Sequence, residues 1–145
     1  YALDPFQLAA VGHPLQALID DVTAWAAARV AQGPVVVYTT APADGVRQVQ
    51  QALGAERAGA LIENALARIA QALVGLGVRQ LIVAGGETSG AVVTALNIDC
   101  LRIGSLIGPG VPWTVSLGAS PIALALKSGN FGSVDFFSKA WNTAP

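Results

Sequence analysis

The chain has 145 residues, 53% hydrophobic and 12% charged, with a net charge of −1. That length suits one domain with a substantial core; the composition excludes disorder, and eight scattered Lys and Arg without a basic stripe argue against a nucleic-acid partner. Mean hydropathy is high at +0.55, yet the longest uncharged stretch, between Arg102 and Lys127, carries seven Gly and Pro breakers from Gly104 to Pro121, so a membrane span is excluded as well.

In chain order, Tyr1 to Leu3 reads as the end of a short strand. Pro14 to Gln32 is predicted to be a helix, with Leu15, Leu18, Ile19, Val22, Trp25, Ala26 and Val30 at helical spacing and Gly33-Pro34 as its stop. The β-branched run Val35 to Thr40 predicts a buried strand. Residues Ala41 to Gly45 are loop, and Val46 to Leu53 a short helix. Glu56 to Val74 is the strongest helix: Ala58, Ile62, Ala65, Leu66, Ile69 and Leu73 share one face, and Gly75 and Gly77 end it. A strand follows at Gln80 to Ala84, then a tight loop from Gly85 to Gly90 and a helix beginning over Ala91 to Leu96. Further strands are expected at Leu101 to Ile103 and Ile122 to Lys127, and a closing helix at Val134 to Trp141 with Ser133 as its N-cap. Apolar strands separated by amphipathic helices predict an α/β fold: a single three-layer domain, a mostly parallel sheet with helices on both faces.

Two segments carry chemistry. Ala84-Gly85-Gly86-Glu87-Thr88-Ser89-Gly90 joins a strand to a helix start. Glycine lets backbone approach a ligand closely, the first N–H groups of a helix favour an anion, and Thr88 and Ser89 add hydroxyl donors. Phosphate is the matching ligand. Glu87 would be repelled by phosphate unless Mg²⁺ with its waters intervenes; otherwise it caps local N–H groups or takes a ribose hydroxyl. The loop lacks the Lys of a Walker A motif and the spacing of a dinucleotide fingerprint. The second segment, Lys127-Ser128-Gly129-Asn130-Phe131-Gly132, again leads from strand to helix, with Lys127 as a positive charge. The structural alternatives are plain: a connection capped by Ser89, a turn capped by Ser133, Lys127 solvated and Asn130 serving turn geometry.

Other residues read more simply. Trp113 is a core or interface residue, with stacking on adenine as the functional alternative. His13 is an exposed turn residue. Cys100 suits a small buried apolar role, and as a lone cysteine it points to a reducing, cytoplasmic compartment. Asp20, Asp21 and Asp99 belong to solvated surface. The chain opens on Tyr1 and contains no Met, as expected of a piece of a longer protein.

The two glycine segments, with Asp135-Phe136-Phe137, Tyr38-Thr39-Thr40-Ala41-Pro42, Gly54-Ala55-Glu56-Arg57 and Pro109-Gly110-Val111-Pro112-Trp113-Thr114, resemble the C-terminal nucleotide-binding domain of the four-carbon acid sugar kinase family along nearly the whole chain. The resemblance implies an ATP- and Mg²⁺-dependent kinase of 3-oxo-tetronate, threonate or erythronate type acids. Residues 1–145 would be its nucleotide-binding domain, inactive alone. The sugar acid and the catalytic base would belong to an N-terminal domain outside this chain. It implies nucleotide contacts at Gly86, Glu87, Thr88, Ser89 and Gly129; Gly85, Lys127 and Asn130 are further candidates on their own chemistry, and no metal-ligating residue is assigned. The resemblance further implies acidic residues, as family members tend to carry, just before the Pro-Gly-Val-Pro-Trp turn, where this chain has Leu106 and Gly108; if they serve metal or substrate, activity is altered here, and if they decorate the surface, nothing changes. The alternative is a non-catalytic nucleotide-sensing or assembly domain. The apolar surplus further implies a face covered by the N-terminal domain or another subunit, which leaves a homo-oligomer open.

Overall fold

The computed structural model describes residues 1–9, 15–40, 43–129 and 131–145. The expectations for His13, for the helix start at Pro14, for Ala41-Pro42 and for Asn130 lie outside the described residues. The chain divides into two compact units, Tyr1–Leu76 and Gly77–Pro145.

The first unit is helical: α1 (Pro5–Ala9), α2 (Leu15–Ala27), α3 (Ala43–Leu53) and α4 (Ala55–Gly75). Helix α4 is its spine and packs against the other three. Its inward stripe of Ala58, Ala65, Ala67, Ile69, Ala70 and Leu73 is buried. Small residues dominate that stripe, so neighbouring helices approach closely. Glu56 sits in its first turn, where a negative charge complements the helix dipole. Helix α2 ends five residues before its predicted end, and residues 28–32 continue as turns.

The predicted buried strand at Val35 to Thr40 is a correction. It forms only an isolated parallel bridge, Ala2 with Tyr38, joined by Leu3 N–H to the Tyr38 carbonyl at 2.7 Å and Tyr38 N–H to the Tyr1 carbonyl at 3.0 Å. Val36 remains 63% exposed. β-branched composition favours extended backbone, but burial needs a covering layer that local sequence does not reveal.

The second unit holds β1 (Gln80–Ala84), α5 (Gly86–Ala95), β2 (Leu101–Gly108), β3 (Val111–Ser116), β4 (Ala123–Lys127) and α6 (Phe136–Trp141). The sheet order is β1-β4-β3-β2. Strands β1 and β4 are parallel, whereas β3 is antiparallel to both β4 and β2. The expected mostly parallel sheet is therefore overturned: it is mixed and mostly antiparallel. The reason is β3, which the sequence reading missed. Pro109-Gly110 turns β2 straight back into β3, and short connections can only join antiparallel strands. Pro112 hides the strand pattern of Val111 to Ser116, although Val111, Trp113, Thr114 and Ser116 are buried.

Trp113 is 1% exposed and faces the small Ala125 across the β3–β4 pair. Val111, Ala123, Phe136 and Ala140 complete this core. The indole N–H donates to the Ala140 carbonyl at 3.0 Å, which fixes α6 to the sheet. Trp113 is thus a core residue and does not stack on a ligand. Cys100, expected to be buried, is exposed. Asp20, Asp21 and Asp99 are exposed, as expected. On β2, Ile103 is 75% exposed and Leu106 is also exposed, so this edge strand carries uncovered apolar side chains.

Candidate functional site

Strands β1 and β4 run side by side in the same direction, and their last paired residues are Ala84 and Lys127. Both glycine segments therefore leave the sheet at the same end, the carboxyl end of parallel strands, where α/β folds place ligands. The Gly85 N–H donates to the Lys127 carbonyl at 2.7 Å and ties the two exits together.

The expected loop from Gly85 to Gly90 is mostly helix. Only Gly85 turns the chain, with φ +118, a conformation an L side chain strongly disfavours. Helix α5 then starts at Gly86, with Gly85 as N-cap and no side-chain cap. Ser89 is not the cap: its N–H already makes the first intrahelical bond, to the Gly85 carbonyl at 2.9 Å. The amides of Gly86, Glu87 and Thr88 precede that bond, and they have no acceptor among the described residues. Gly86 and Glu87 are exposed and Thr88 is half-buried. The Ser89 hydroxyl lies in the same turn, 8% exposed and without a hydrogen-bond partner among the described residues.

On the second segment Lys127 is half-buried rather than fully solvated. Its ammonium donates to the Gly129 carbonyl at 2.8 Å and lies 5.9 Å from the centre of the Phe136 ring. Gly129 is exposed. Ser128, which the sequence does not single out, also lies against the other segment: a Cβ built on Gly86 would lie 3.3 Å from its Oγ. Its signal in the sequence is its place directly after β4, beside Lys127. Ser133 does not cap α6; Asp135 takes that position, and the Ser133 hydroxyl donates to Asp135 Oδ1 at 2.5 Å. Lys139 approaches Asp135 Oδ2 at 2.8 Å. These bonds, that to Lys139 foremost, hold the Asp135 carboxyl below the usual carboxylate range.

A concave depression of about 550 Å³ opens beside the second segment, walled by Ile107, Pro109, Phe131, Gly132 and Phe136 among others. Among the described residues no three His, Cys, Asp or Glu side chains converge to hold a metal. None of the described helices is long and apolar enough to cross a membrane.

The structure thus brings Gly85, Gly86, Glu87, Thr88, Ser89, Lys127 and Gly129 to one end of two adjacent strands. It offers unspent amide donors, small residues and one exposed carboxylate.

Residues 1–137 match the family model described as the nucleotide-binding C-terminal domain. A 3-oxo-tetronate kinase of Pseudomonas fluorescens is 56% identical over 140 residues, which are 97% of this chain and 31% of that protein. A 3-oxo-tetronate kinase of Burkholderia multivorans is 53% identical over 140 residues, 97% of this chain and 32% of that protein. The chain thus spans about a third of the length of the curated relatives it matches. The crystal structure of a Haemophilus influenzae protein superimposes with a TM-score of 0.85 at 37% identity, covering 99% of this chain and 34% of that one. One from Salmonella typhimurium gives 0.87 at 34% identity, covering 100% and 35%.

Proposed function

Because this chain belongs to the family of nucleotide-binding C-terminal domains, we propose that it binds ATP across the paired segments after β1 and β4. It does so within a kinase that passes the γ-phosphoryl group to a hydroxyl of a four-carbon sugar acid. The observation that carries the reading is the row of unspent amides at Gly86, Glu87 and Thr88, tied to the β4 exit by the Gly85–Lys127 bond. Three such donors at a helix start form an anion cradle without any charged side chain.

In this reading the Gly86, Glu87 and Thr88 amides take phosphate oxygens, with the Thr88 and Ser89 hydroxyls as further donors. Gly129 lets backbone approach from the other side, and Asn130 belongs to the same segment. Lys127, anchored on the Gly129 carbonyl, adds positive charge beside that approach. Glu87 is the one carboxylate within Gly85 to Gly90 and Lys127 to Gly132. With no three-ligand cluster among the described residues, the donor set fits a Mg²⁺ carried on the phosphates and touched by Glu87 directly or through water. Such an ion neutralises phosphate charge during transfer.

Both units of residues 1–145 belong to this one domain. A preceding domain would supply the sugar-acid site and the catalytic base. The names of the relatives support a 3-oxo-tetronate type substrate. A cytoplasmic enzyme fits that use of ATP, and the uncovered apolar side chains of β2 fit a face covered by the preceding domain or by a second subunit. The test is calorimetric titration of the two-domain protein with MgATP, followed by turnover with tetronate acids. No binding overturns the reading, and binding without phosphorylation of any such acid replaces the kinase with a nucleotide sensor.

A further inference from the structure

Gly86 poses a question that its backbone does not answer. It is not among the glycines with positive φ; it is the first residue of α5, so its backbone conformation does not demand glycine. What Gly86 provides is space. A Cβ at this position would meet a single described atom within 4 Å, the Oγ of Ser128 at 3.3 Å. That distance is tighter than ordinary contact, so a side chain at residue 86 would push the hydroxyl aside.

The backbone that carries that hydroxyl is held at the β4 exit. Ser128 follows Lys127, the last paired residue of β4, and the Lys127 carbonyl is held by Gly85 N–H at 2.7 Å. Ser128 is exposed, and its hydroxyl has no hydrogen-bond partner among the described residues. It does not cap α5, since no side chain caps that helix. The first turn of α5 holds another hydroxyl, that of Ser89, more than nine-tenths buried and unpartnered among the described residues. The Ser128 hydroxyl beside Gly86, with the uncommitted amides of Gly86, Glu87 and Thr88, makes a set of donors without an acceptor among the described residues.

We propose that the Ser128 hydroxyl is a phosphate-binding group, reaching from the β4 exit over Gly86 to an oxygen of the nucleotide phosphates held at the start of α5. Gly86 is glycine to leave that path open. This inference rests on the nucleotide reading above. It gives the second segment a neutral side-chain donor, in addition to the Lys127 charge and the backbone at Gly129.

The experiment is isothermal titration of the intact two-domain protein with MgATP and MgADP, alongside the unliganded melting temperature. Ser128→Ala should weaken both nucleotides by roughly tenfold or more, the scale of a hydrogen bond to a charged acceptor, and leave the melting temperature in place because Ser128 is exposed. Gly86→Ala should also weaken both. Combined with Ser128→Ala it should cost little beyond the single change, since the methyl group then displaces a hydroxyl already gone. The inference is overturned if Ser128→Ala binds MgATP within twofold of wild type, if its loss is matched by a fall in melting temperature, or if the two losses multiply in full. A wild-type protein that binds no MgATP overturns the nucleotide reading itself, and that outcome is visible before any variant is made.

Discussion

Replacing Gly132 by alanine isolates how the second segment is built onto the core. Gly132 has φ +99, and a Cβ there would lie 2.7 Å from Cδ2 and 3.0 Å from Cγ of Phe136. Phe136 cannot retreat cheaply, being 3% exposed and packed with Val111, Trp113, Ala125 and Ala140. The backbone conformation alone costs an L residue about 1–2 kcal/mol, and forcing a packed ring aside adds about 1–3 kcal/mol. Gly132→Ala should therefore destabilise the second unit by roughly 2–5 kcal/mol. Gly129→Ala is the matched control: its φ is +51, but nothing lies within 4 Å of the added Cβ, so only the conformational part applies. Urea unfolding of the ligand-free protein, with hydrogen exchange of β3 and α6 amides to localise the loss, measures both. Equal losses for the two variants would show that Phe136 yields freely and would refute the packing argument.

Four further outcomes are expected. Ser89→Ala removes a buried hydroxyl without a partner among the described residues, so unliganded stability should hold or rise by up to about 1 kcal/mol; a clear drop in melting temperature would mean that the hydroxyl is already satisfied. Trp113→Phe removes the bond to the Ala140 carbonyl and leaves a void, a loss of about 2–4 kcal/mol readable as a lower urea midpoint; no shift would refute the role assigned to the indole. Glu87→Gln should bind ADP several-fold more tightly than wild type without Mg²⁺, because a like charge beside phosphate is gone, and should lose that advantage when Mg²⁺ is added; the same ratio under both conditions would separate Glu87 from the metal. The depressed Asp135 carboxyl, held chiefly by Lys139 and then Ser133, contributes its stability above the ordinary carboxylate range and loses it as pH falls through the lowered value. Asp135→Asn should therefore lower the melting temperature slightly at neutral pH and no longer at strongly acidic pH; both side chains are more than half exposed, so the shift should shrink in high salt.

Much of the local structure was legible because it depends on nearby residues. The apolar repeat from Ala58 to Leu73 is enough to define α4, observed at Ala55–Gly75. The short apolar runs between glycines define β1 and β4, observed at Gln80–Ala84 and Ala123–Lys127. Three glycines within Gly85 to Gly90 suggest a loop by propensity and put the expected start of α5 at Ala91, five residues after the observed Gly86. The tertiary ladder decides otherwise, anchoring Gly85 to Lys127 so that the helix begins at the next residue.

The sequence by itself determined the helical spine, the two glycine segments, and the family likeness that the comparisons bear out. Strand direction was decided only in three dimensions, because it is a matter of which backbone meets which across the sheet, and one unnoticed strand at Val111–Ser116 was enough to reverse it. Burial was decided there too: Val35 to Thr40 and Cys100 look apolar along the chain, but Val35, Val37 and Thr39 are only half-buried and Val36, Tyr38 and Cys100 are exposed, because burial needs a covering layer that local sequence does not reveal. The meeting of Ser128 with Gly86, forty-two positions apart, likewise exists only because β1 and β4 lie side by side.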